Sequence, residues 1–317
     1  MSLSLLTTLA EGNNPVNHVV NFPFLKANFM GMENAWVWSA HVGTLVLSGI
    51  ITLIVMSAAA AGIKTGPERL GVNRYVTLGR FAHFIEVICL YLRDTTVRPL
   101  LGDRTDKFMP ILWTFFFFIL VNNILGLIPI VDFLHVLNPA WAETHSAPFG
   151  GTPTNNIWVT ATLAILAALV VNIAGVKELG IGGYVSHLTA GTPWYLWALM
   201  VPIEIMGTLI KPVALALRLF ANMTAGHVLV AVLFMFLKQG LDMLLAGSVG
   251  GLAIGGGVAV ASGLAAVAIY FLELFVAFLQ AFVFMFLTTV FISQLAHHDE
   301  HGHHEGHDHE HAHAHAH

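Results

Sequence analysis

Charged residues are scarce in this chain. Asp, Glu, Lys and Arg make up 10% of its 317 residues, whereas 56% are hydrophobic. Ordinary soluble domains contain about 25% charged residues, so this composition excludes such a domain and favours a polytopic membrane protein. The one cysteine, Cys89, excludes an internal disulfide. The nucleotide-binding pattern Gly-x4-Gly-Lys-Ser/Thr is absent, and a net charge of −5 gives no support for a nucleic-acid partner.

Five apolar runs predict the membrane-crossing segments. Residues 36–62, 109–131 and 157–176 each match the roughly 20 residues that cross the hydrocarbon core. Residues 193–237 and 255–296 are much longer and would extend about 68 and 63 Å as helices, roughly twice the bilayer thickness. Neither long run contains a polar break long enough to divide it into two ordinary spans. We therefore predict an all-α polytopic fold whose last two segments are strongly inclined helices in an antiparallel hairpin.

Proline and glycine mark the irregular points of the two long runs. Pro202 and Pro212 remove backbone donors and are predicted to bend the fourth segment. Residues 247–257 contain six glycines between the fourth and fifth segments. This connector is interpreted either as a flexible turn or as a close-packing surface.

Basic residues predict the orientation. Eight of the thirteen Lys and Arg lie in residues 63–108. The positive-inside rule assigns this segment to the cytoplasm, and therefore residues 1–35 to the outside and the tail, 297–317, to the inside. Within it, residues 75–101 carry apolar side chains at helical spacing: Phe81, Phe84, Ile85, Ile88 and Leu92. We expect an amphipathic helix, either on the inner membrane surface or packed as a solvated helix on a partner.

Arg218 is the most informative residue of the fourth segment, because it lies inside a long apolar run. An arginine at the bilayer centre costs about 2.5–3.5 kcal/mol on insertion scales, and its guanidinium does not deprotonate. Either a structural ion pair with a neighbouring acid or a group on an ion path must compensate it. A purely structural membrane anchor does not explain the residue.

Three polar residues share the face of Arg218. Glu204 and Lys211 precede it at intervals of seven residues, and Asn222 follows one turn later. Lys211 is interpreted as snorkelling to the inner surface. Asn222 is interpreted either as part of an ion path or as a hydrogen-bonding group between packed helices.

The fifth segment runs back through the membrane and carries Glu273 and Gln280 on one face. If Gln280 lies level with Arg218, then His227 and Glu273 lie about 13 and 10 Å further outward and at similar depth. Glu273 is interpreted as a proton relay or as the counter-ion of Arg218. Titratable groups on both sides of a permanent cation suggest that a proton carrier from another subunit passes the arginine.

These residues also carry a family resemblance. Residues 218–227, RLFANMTAGH, resemble the motif Arg-Leu-Phe-x-Asn-Met-x-Ala-Gly-[His/Glu] of subunit a of the rotary (F-type) ATP synthase. Weaker matches are NILGLIP at 123–129, GIGG at 180–183 and LQAFVFM at 279–285. The resemblance covers roughly residues 74–295. His227 and Glu273 occupy the places where some bacterial members have Glu and His, an exchange that looks like the mitochondrial arrangement.

The resemblance implies a role for each polar residue. Arg218 is expected to be the stator arginine facing the c-ring and Glu204 to line the inner half-channel. Asn222, His227, Glu273 and Gln280 are expected to line the outer half-channel and its edge. The resemblance further implies that residues 109–296 are the proton-channel domain of a non-catalytic subunit without a cofactor. Asn156 stands where some members have an acid, so an outer-entrance role is not expected there.

The expected partners and location follow from the same resemblance. The partners are the c-ring, the b-type peripheral stalk and the other ATP synthase subunits, with the lipid bilayer around them and the proton as the transported ion. The location is the bacterial cytoplasmic (inner) membrane in preference to the mitochondrial inner membrane. The N-terminus is expected outside and the C-terminus in the cytoplasm.

The tail, residues 297–317, contains eleven of the eighteen histidines, interspersed with Asp, Glu, Gly and Ala. Imidazoles at this density bind divalent metals weakly and without fixed geometry. The alternatives are a solvated disordered tail or an engineered tag. The interspersed acids argue against the engineered tag. The candidate ligands are His297, His298, His301, His303, His304, His307 and His309. The tail suggests a rival function, a metal-ion transporter. Such a transporter requires several metal ligands inside its spans, but the first three runs contain little beyond His41.

Overall fold

A computed structural model describes residues 23–29, 32–66, 75–77, 79–128, 130, 148–188, 194–246 and 249–296. The first element is an antiparallel hairpin of β1 (Pro23–Phe29) and β2 (Met32–Ser39), with Lys26 opposite Trp36. The sequence analysis did not predict these strands. Polar and apolar residues seldom alternate in β1 and β2, so the pattern that indicates a half-buried strand is weak in these segments.

Helix α1 (Ala40–Ala61) is the first membrane-length helix. It begins four residues after the predicted start at 36, because the chain up to Ser39 still belongs to β2. The hydroxyl of Ser39 accepts a hydrogen bond from the backbone N–H of Val42 at 3.4 Å. This N-cap contact satisfies one of the free donors of the first turn and explains why the helix begins there.

The basic segment folds as a short hairpin followed by a broken helix. Strands β3 (Ile63–Thr65) and β4 (Tyr75–Thr77) pair antiparallel. The helical part comprises α2 (Arg80–Tyr91), a π-helical turn (Leu92–Val97), α3 (Arg98–Leu101), a 3-10 turn (Gly102–Arg104) and α4 (Thr105–Leu127). The predicted second span at 109–131 therefore starts earlier, and Arg80–Leu127 together forms one membrane-length helical stretch.

The apolar residues of the predicted 75–101 helix differ in their burial. Ile85 and Leu92 are buried, as expected from one amphipathic face, but Phe81 and Phe84 are exposed. Helix α2 thus carries apolar side chains on a buried side and on an uncovered side. Both interpretations of this segment, a membrane-surface helix and a partner-bound helix, accommodate an exposed apolar side.

The third membrane-length helix is α5 (Ile157–Leu188), which follows a 3-10 turn (Pro153–Asn155). The side-chain oxygen of Asn156 accepts a hydrogen bond from the Trp158 N–H at 3.0 Å and caps the helix, which gives this residue a structural task. The predicted end at residue 176 agrees with the apolar stretch Ile157–Lys177. The backbone of Gly180 is non-helical, with φ 70° and ψ 172°, and kinks the remainder.

The last two helices have the predicted exceptional length. After a 3-10 turn (Trp194–Leu196), α6 (Trp197–Leu245) contains 49 residues with Pro202 and Pro212 inside, and α7 (Val249–Ala296) contains 48. Each extends more than about 70 Å at 1.5 Å per residue. They pair antiparallel, since Asn222 bonds Gln280 and Phe234 packs on Tyr270. The inclination of the helices and the bends at the prolines stay predictions.

The glycine-rich connector is mostly helical. Helix α7 already begins at Val249, so an eleven-residue flexible turn is wrong for this segment, whereas the close-packing interpretation is confirmed. A Cβ on Gly255 would lie 2.7 Å from the Gly240 carbonyl oxygen, closer than packed atoms approach. Helices α6 and α7 therefore approach each other closely where these two glycines face each other.

The described residues divide into two compact units. The first draws on the ranges 1–57, 117–160 and 217–281, with Met223 and Ala277 among its buried residues. The second draws on 58–116, 161–216 and 282–317, where Phe115 packs on Phe284 at 5.5 Å between ring centroids. The five membrane-length helices in this part of the chain confirm the predicted all-α polytopic class.

Candidate functional site

Arg218 lies near the middle of α6 and is exposed on the surface of the chain, in contrast to its buried neighbour Leu219. Among the described residues it has no hydrogen bond or ion pair. Three exposed residues on its side of the helix are small: Ala214 one turn before it, Ala221 one turn after it and Ala225 two turns after it. Asn222, also one turn after Arg218, is exposed as well. The cation thus stands in a shallow strip of the helix that another helix can approach closely.

His227 and Glu273 meet across α6 and α7. The Nδ1 atom of His227 lies 3.9 Å from Oε1 of Glu273, and the Glu273 residue is only 7% exposed. The carboxylate packs on the backbone of Gly226, where a Cβ would collide with Oε1. A glycine at this position therefore lets the acid approach the helix backbone and face the imidazole.

Asn222 and Gln280 form the second contact between the same helices. Asn222 is exposed and its Nδ2 donates to Oε1 of Gln280 at 3.0 Å, whereas Gln280 is buried. The sequence analysis aligned Gln280 with Arg218, whereas the hydrogen bond joins Gln280 to Asn222, one turn further along α6. The same antiparallel pairing brings Glu273 to His227.

A polar loop, residues 148–155, packs against the His227–Glu273 pair. Thr152 is buried, and its hydroxyl is hydrogen-bonded to Nε2 of His227. The side chain of Asn155 accepts a hydrogen bond from the Thr224 hydroxyl. The loop thus reaches α6 at two positions, three residues apart on the helix, on the side that carries His227.

The same loop is anchored at its other side. The Thr154 hydroxyl donates to Oδ1 of Asn123 at 2.9 Å, and Nδ2 of Asn123 donates to the Ala277 carbonyl of α7 at 3.3 Å. The Gly150 N–H donates to the hydroxyl of Thr44 in α1 at 2.7 Å. Sequence reasoning missed these residues. The available signal was a cluster of Thr and Asn between two apolar runs, and Asn123 within the resemblance.

The inner candidates belong to the other compact unit. Glu204 is half-buried in α6. The Lys211 side chain contacts α7: its Nζ donates to Oε1 of Gln294 at 3.3 Å and lies 5.1 Å from the centre of the Phe291 ring. A snorkelling lysine is compatible with this contact near the end of α7.

The geometry bears on the role of Glu273 and on metal binding by the described residues. The acid nearest to His227 is Glu273, and no ion pair joins Glu273 to Arg218 in the part of the chain that the structure describes, so a counter-ion role for Glu273 is not observed. The tail with its seven candidate ligands, His297 to His309, lies outside the described residues. Within those residues no group of three His, Cys, Asp or Glu could hold a metal ion.

The fold and the site together define a class of protein. It is a multi-pass membrane protein with an exposed intramembrane arginine and a buried His–Glu pair. The model of the family described as ATP synthase A chain matches residues 27–293. A protein of Chlorobaculum tepidum named ATP synthase subunit a 2 is 39% identical over 84% of this chain and 65% of its own length. One of Prosthecochloris aestuarii with the same name is 34% identical over 92% and 82%.

A third relative, ATP synthase subunit a of Myxococcus xanthus, is 38% identical over 73% of this chain and 67% of its own length. The chain belongs to the ATP synthase A chain family. It spans about two thirds of the length of the Chlorobaculum relative. The bacterial relatives and the five membrane-length helices identify a multi-pass bacterial membrane protein.

Proposed function

We propose that this chain is the proton-conducting stator subunit of a bacterial ATP synthase and that Arg218 faces the c-ring. The observation that carries the proposal is an exposed arginine inside an apolar helix, without a partner among the described residues. An arginine in lipid is too costly to leave uncompensated and cannot neutralise itself. Its partner is therefore a group on another subunit, and a ring carboxylate has the matching charge.

The surface around Arg218 supports contact with a moving helix ring. Ala214, Ala221 and Ala225 expose only methyl groups along the strip that carries the arginine. Small side chains let another helix approach closely along this strip. At about 4 Å and an effective dielectric near 20, a carboxylate and the guanidinium attract by about 4 kcal/mol, which keeps the passing carboxylate ionised.

The outer half-channel ends at the His227–Glu273 pair. Imidazole titrates near neutral pH, and a carboxylate 3.9 Å away tunes it, so the pair is suited to pass protons. Asn222 and Gln280 lie between this pair and Arg218 along their helices and form the edge of the path. A proton that reaches a ring carboxylate there neutralises it and permits its rotation into lipid.

The inner half-channel is assigned to the side of Glu204. This acid precedes Arg218 by fourteen positions in α6 and is half-buried, so water can reach it. The two half-paths have no continuous chain of acids between them, because the arginine interrupts them. A proton therefore crosses only by travelling with the ring, and each charge moved across 100 mV supplies about 2.3 kcal/mol.

The remaining assignments complete this proposal. The basic segment, 63–108, is cytoplasmic by the positive-inside rule, which leaves residues 1–35 outside and the tail inside. Residues 109–296 form the channel domain. The c-ring, the b-type stalk and the other ATP synthase subunits are the partners, and the protein resides in the cytoplasmic membrane.

The decisive experiment replaces Arg218 by Ala in the assembled enzyme. ATP-driven proton pumping into inverted membrane vesicles should be abolished, and Arg218→Lys should also lose most pumping because lysine can deprotonate in an apolar site. Arg98→Ala is the matched control, since this arginine is also exposed but lies on α3, near Asp94. Normal pumping by assembled Arg218→Ala enzyme overturns the proposal.

A further inference from the structure

The two ring nitrogens of His227 have different partners. Nδ1 faces the carboxylate of Glu273 at 3.9 Å, and Nε2 is hydrogen-bonded to the hydroxyl of Thr152. The hydroxyl is the nearer contact and reaches the ring from the opposite nitrogen. The orientation of the imidazole therefore depends on a residue that does not belong to either long helix.

The position of Thr152 is fixed by the loop that carries it. Thr152 is 3% exposed, and a Cβ on Gly126 would collide with its side chain, so the threonine fills the space that this glycine leaves. Gly150, two residues before, is held by two hydrogen bonds with Thr44, at 2.7 and 3.0 Å. The 3-10 turn Pro153–Asn155 follows directly and is held through its own side chains.

A hydroxyl suits this position because it can both donate and accept a hydrogen bond. It donates to Nε2 when the neutral ring carries its proton on Nδ1, and it accepts from Nε2–H when the ring is protonated there. A methyl group of the same shape can do neither. Replacing the hydroxyl by a methyl group would therefore remove the hydrogen bond to Nε2 of His227 and the free energy that this bond contributes.

We propose that Thr152 is a positioning residue for proton transfer: its hydroxyl holds the His227 ring with Nδ1 toward Glu273 and exchanges donor and acceptor roles as the ring gains and loses its proton. This inference rests on the proposed function, because it needs His227 on the proton path. It adds a residue of the 148–155 loop to a site otherwise built from α6 and α7.

The test uses isosteric replacement in the complete ATP synthase. Thr152→Val keeps the shape and removes the hydroxyl, and Thr152→Ser keeps the hydroxyl. The control Thr160→Val removes a buried hydroxyl of α5 that donates to backbone carbonyls of its own first turn. Passive proton conduction and ATP-driven pumping are measured in vesicles and expressed per assembled complex. Each change is made both in the natural chain and together with His227→Ala.

Thr152→Val should lower proton flux about three- to tenfold, the effect of losing one hydrogen bond to an ionisable group. Thr152→Ser should retain most of the flux, and so should Thr160→Val. Together with His227→Ala, Thr152→Val should cause no additional loss, because both changes remove the same contact. A purely structural role of Thr152 predicts an equal loss in both backgrounds.

Several outcomes overturn the inference. One is an equal loss of proton flux from Thr152→Val in the natural chain and in the His227→Ala chain. Another is a proton flux in Thr152→Ser as low as in Thr152→Val. If Thr152→Val does not assemble, Thr152→Ala serves as the second hydroxyl-free variant, and failure of both while Thr152→Ser assembles assigns the residue to folding alone. The proposed function fails separately, through normal pumping by Arg218→Ala, whatever the Thr152 variants do.

Discussion

Glu273 approaches His227 across the backbone of Gly226: its carboxylate oxygen lies 3.9 Å from Nδ1 of the imidazole and against the glycine Cα. The acid and the imidazole come from antiparallel helices, and each is largely buried. Two titratable side chains this close are expected to influence each other's protonation.

Exchange of the pair should reveal this coupling. His227→Ala or Glu273→Ala should slow proton entry without the complete loss expected for Arg218→Ala. The exchange His227→Glu with Glu273→His should recover more proton flux than the two single exchanges predict together, because it restores both groups across the same gap. Flux through the assembled enzyme in vesicles, measured for all four combinations, checks this. A strictly additive double exchange means that the two residues act separately.

Gly226→Ala should impair proton flux although alanine is the better helix former. The new Cβ would collide with Oε1 of Glu273, so the carboxylate must move away from the imidazole. Intrinsic propensity favours alanine by about 1 kcal/mol, so helix destabilisation cannot account for a loss. Gly207→Ala in the same helix is the control, because among the described residues nothing beyond its own helix backbone and chain neighbours lies within 4 Å of the added Cβ. Equal flux in the two variants contradicts the close approach of Glu273.

The Asn222–Gln280 contact can be separated into packing and proton-path contributions. Asn222→Leu alone removes the partner of the Gln280 side-chain oxygen and should destabilise the assembled complex, since a buried unpaired amide costs about 1–3 kcal/mol. The double change Asn222→Leu with Gln280→Leu removes both polar groups and should recover thermal stability in detergent. Proton flux should remain low in the double variant if the amides form the edge of the path. Full recovery of flux assigns the pair to helix packing alone.

Deletion of residues 297–317 should leave ATP synthesis nearly unchanged. The tail begins after Ala296, the last residue of α7, and none of its residues belongs to the proposed half-channels. Synthesis rates of vesicles that contain equal amounts of assembled enzyme provide the measurement. A severe loss with normal assembly assigns the tail to the inner half-channel, and metal-dependent transport by the purified chain would support the rival transporter hypothesis.

Apolar length and helical spacing predicted most of the helices and half of the site. The runs that became α6 and α7 are too long for upright spans. Their antiparallel order, with Gln280 aligned with Arg218, predicted that His227 and Glu273 lie at similar depth. The contact of Gln280 with Asn222 was not predicted, because helix geometry fixes spacing along a helix but not the offset between two helices. Close contacts such as Gly240 with Gly255 set that offset.

Loop residues were beyond the reach of the pattern. Thr152 lies between two apolar runs in a stretch without periodicity, and its importance comes from tertiary contacts with Gly126 and His227 that no local spacing encodes. The hairpin of β1 and β2 was missed for a related reason, since a short strand pair carries a weak signal in sequence.

The exposed guanidinium of Arg218 has a consequence for biogenesis. Under the proposed function, lipid surrounds this side chain before the ring arrives, and a bilayer accommodates such a charge by thinning locally and admitting water. An orphan copy therefore deforms its own membrane, and the deformation relaxes when a neighbouring carboxylate covers the cation. The elastic energy of the bilayer thus favours assembly over the solitary subunit, in addition to any contact between the two proteins.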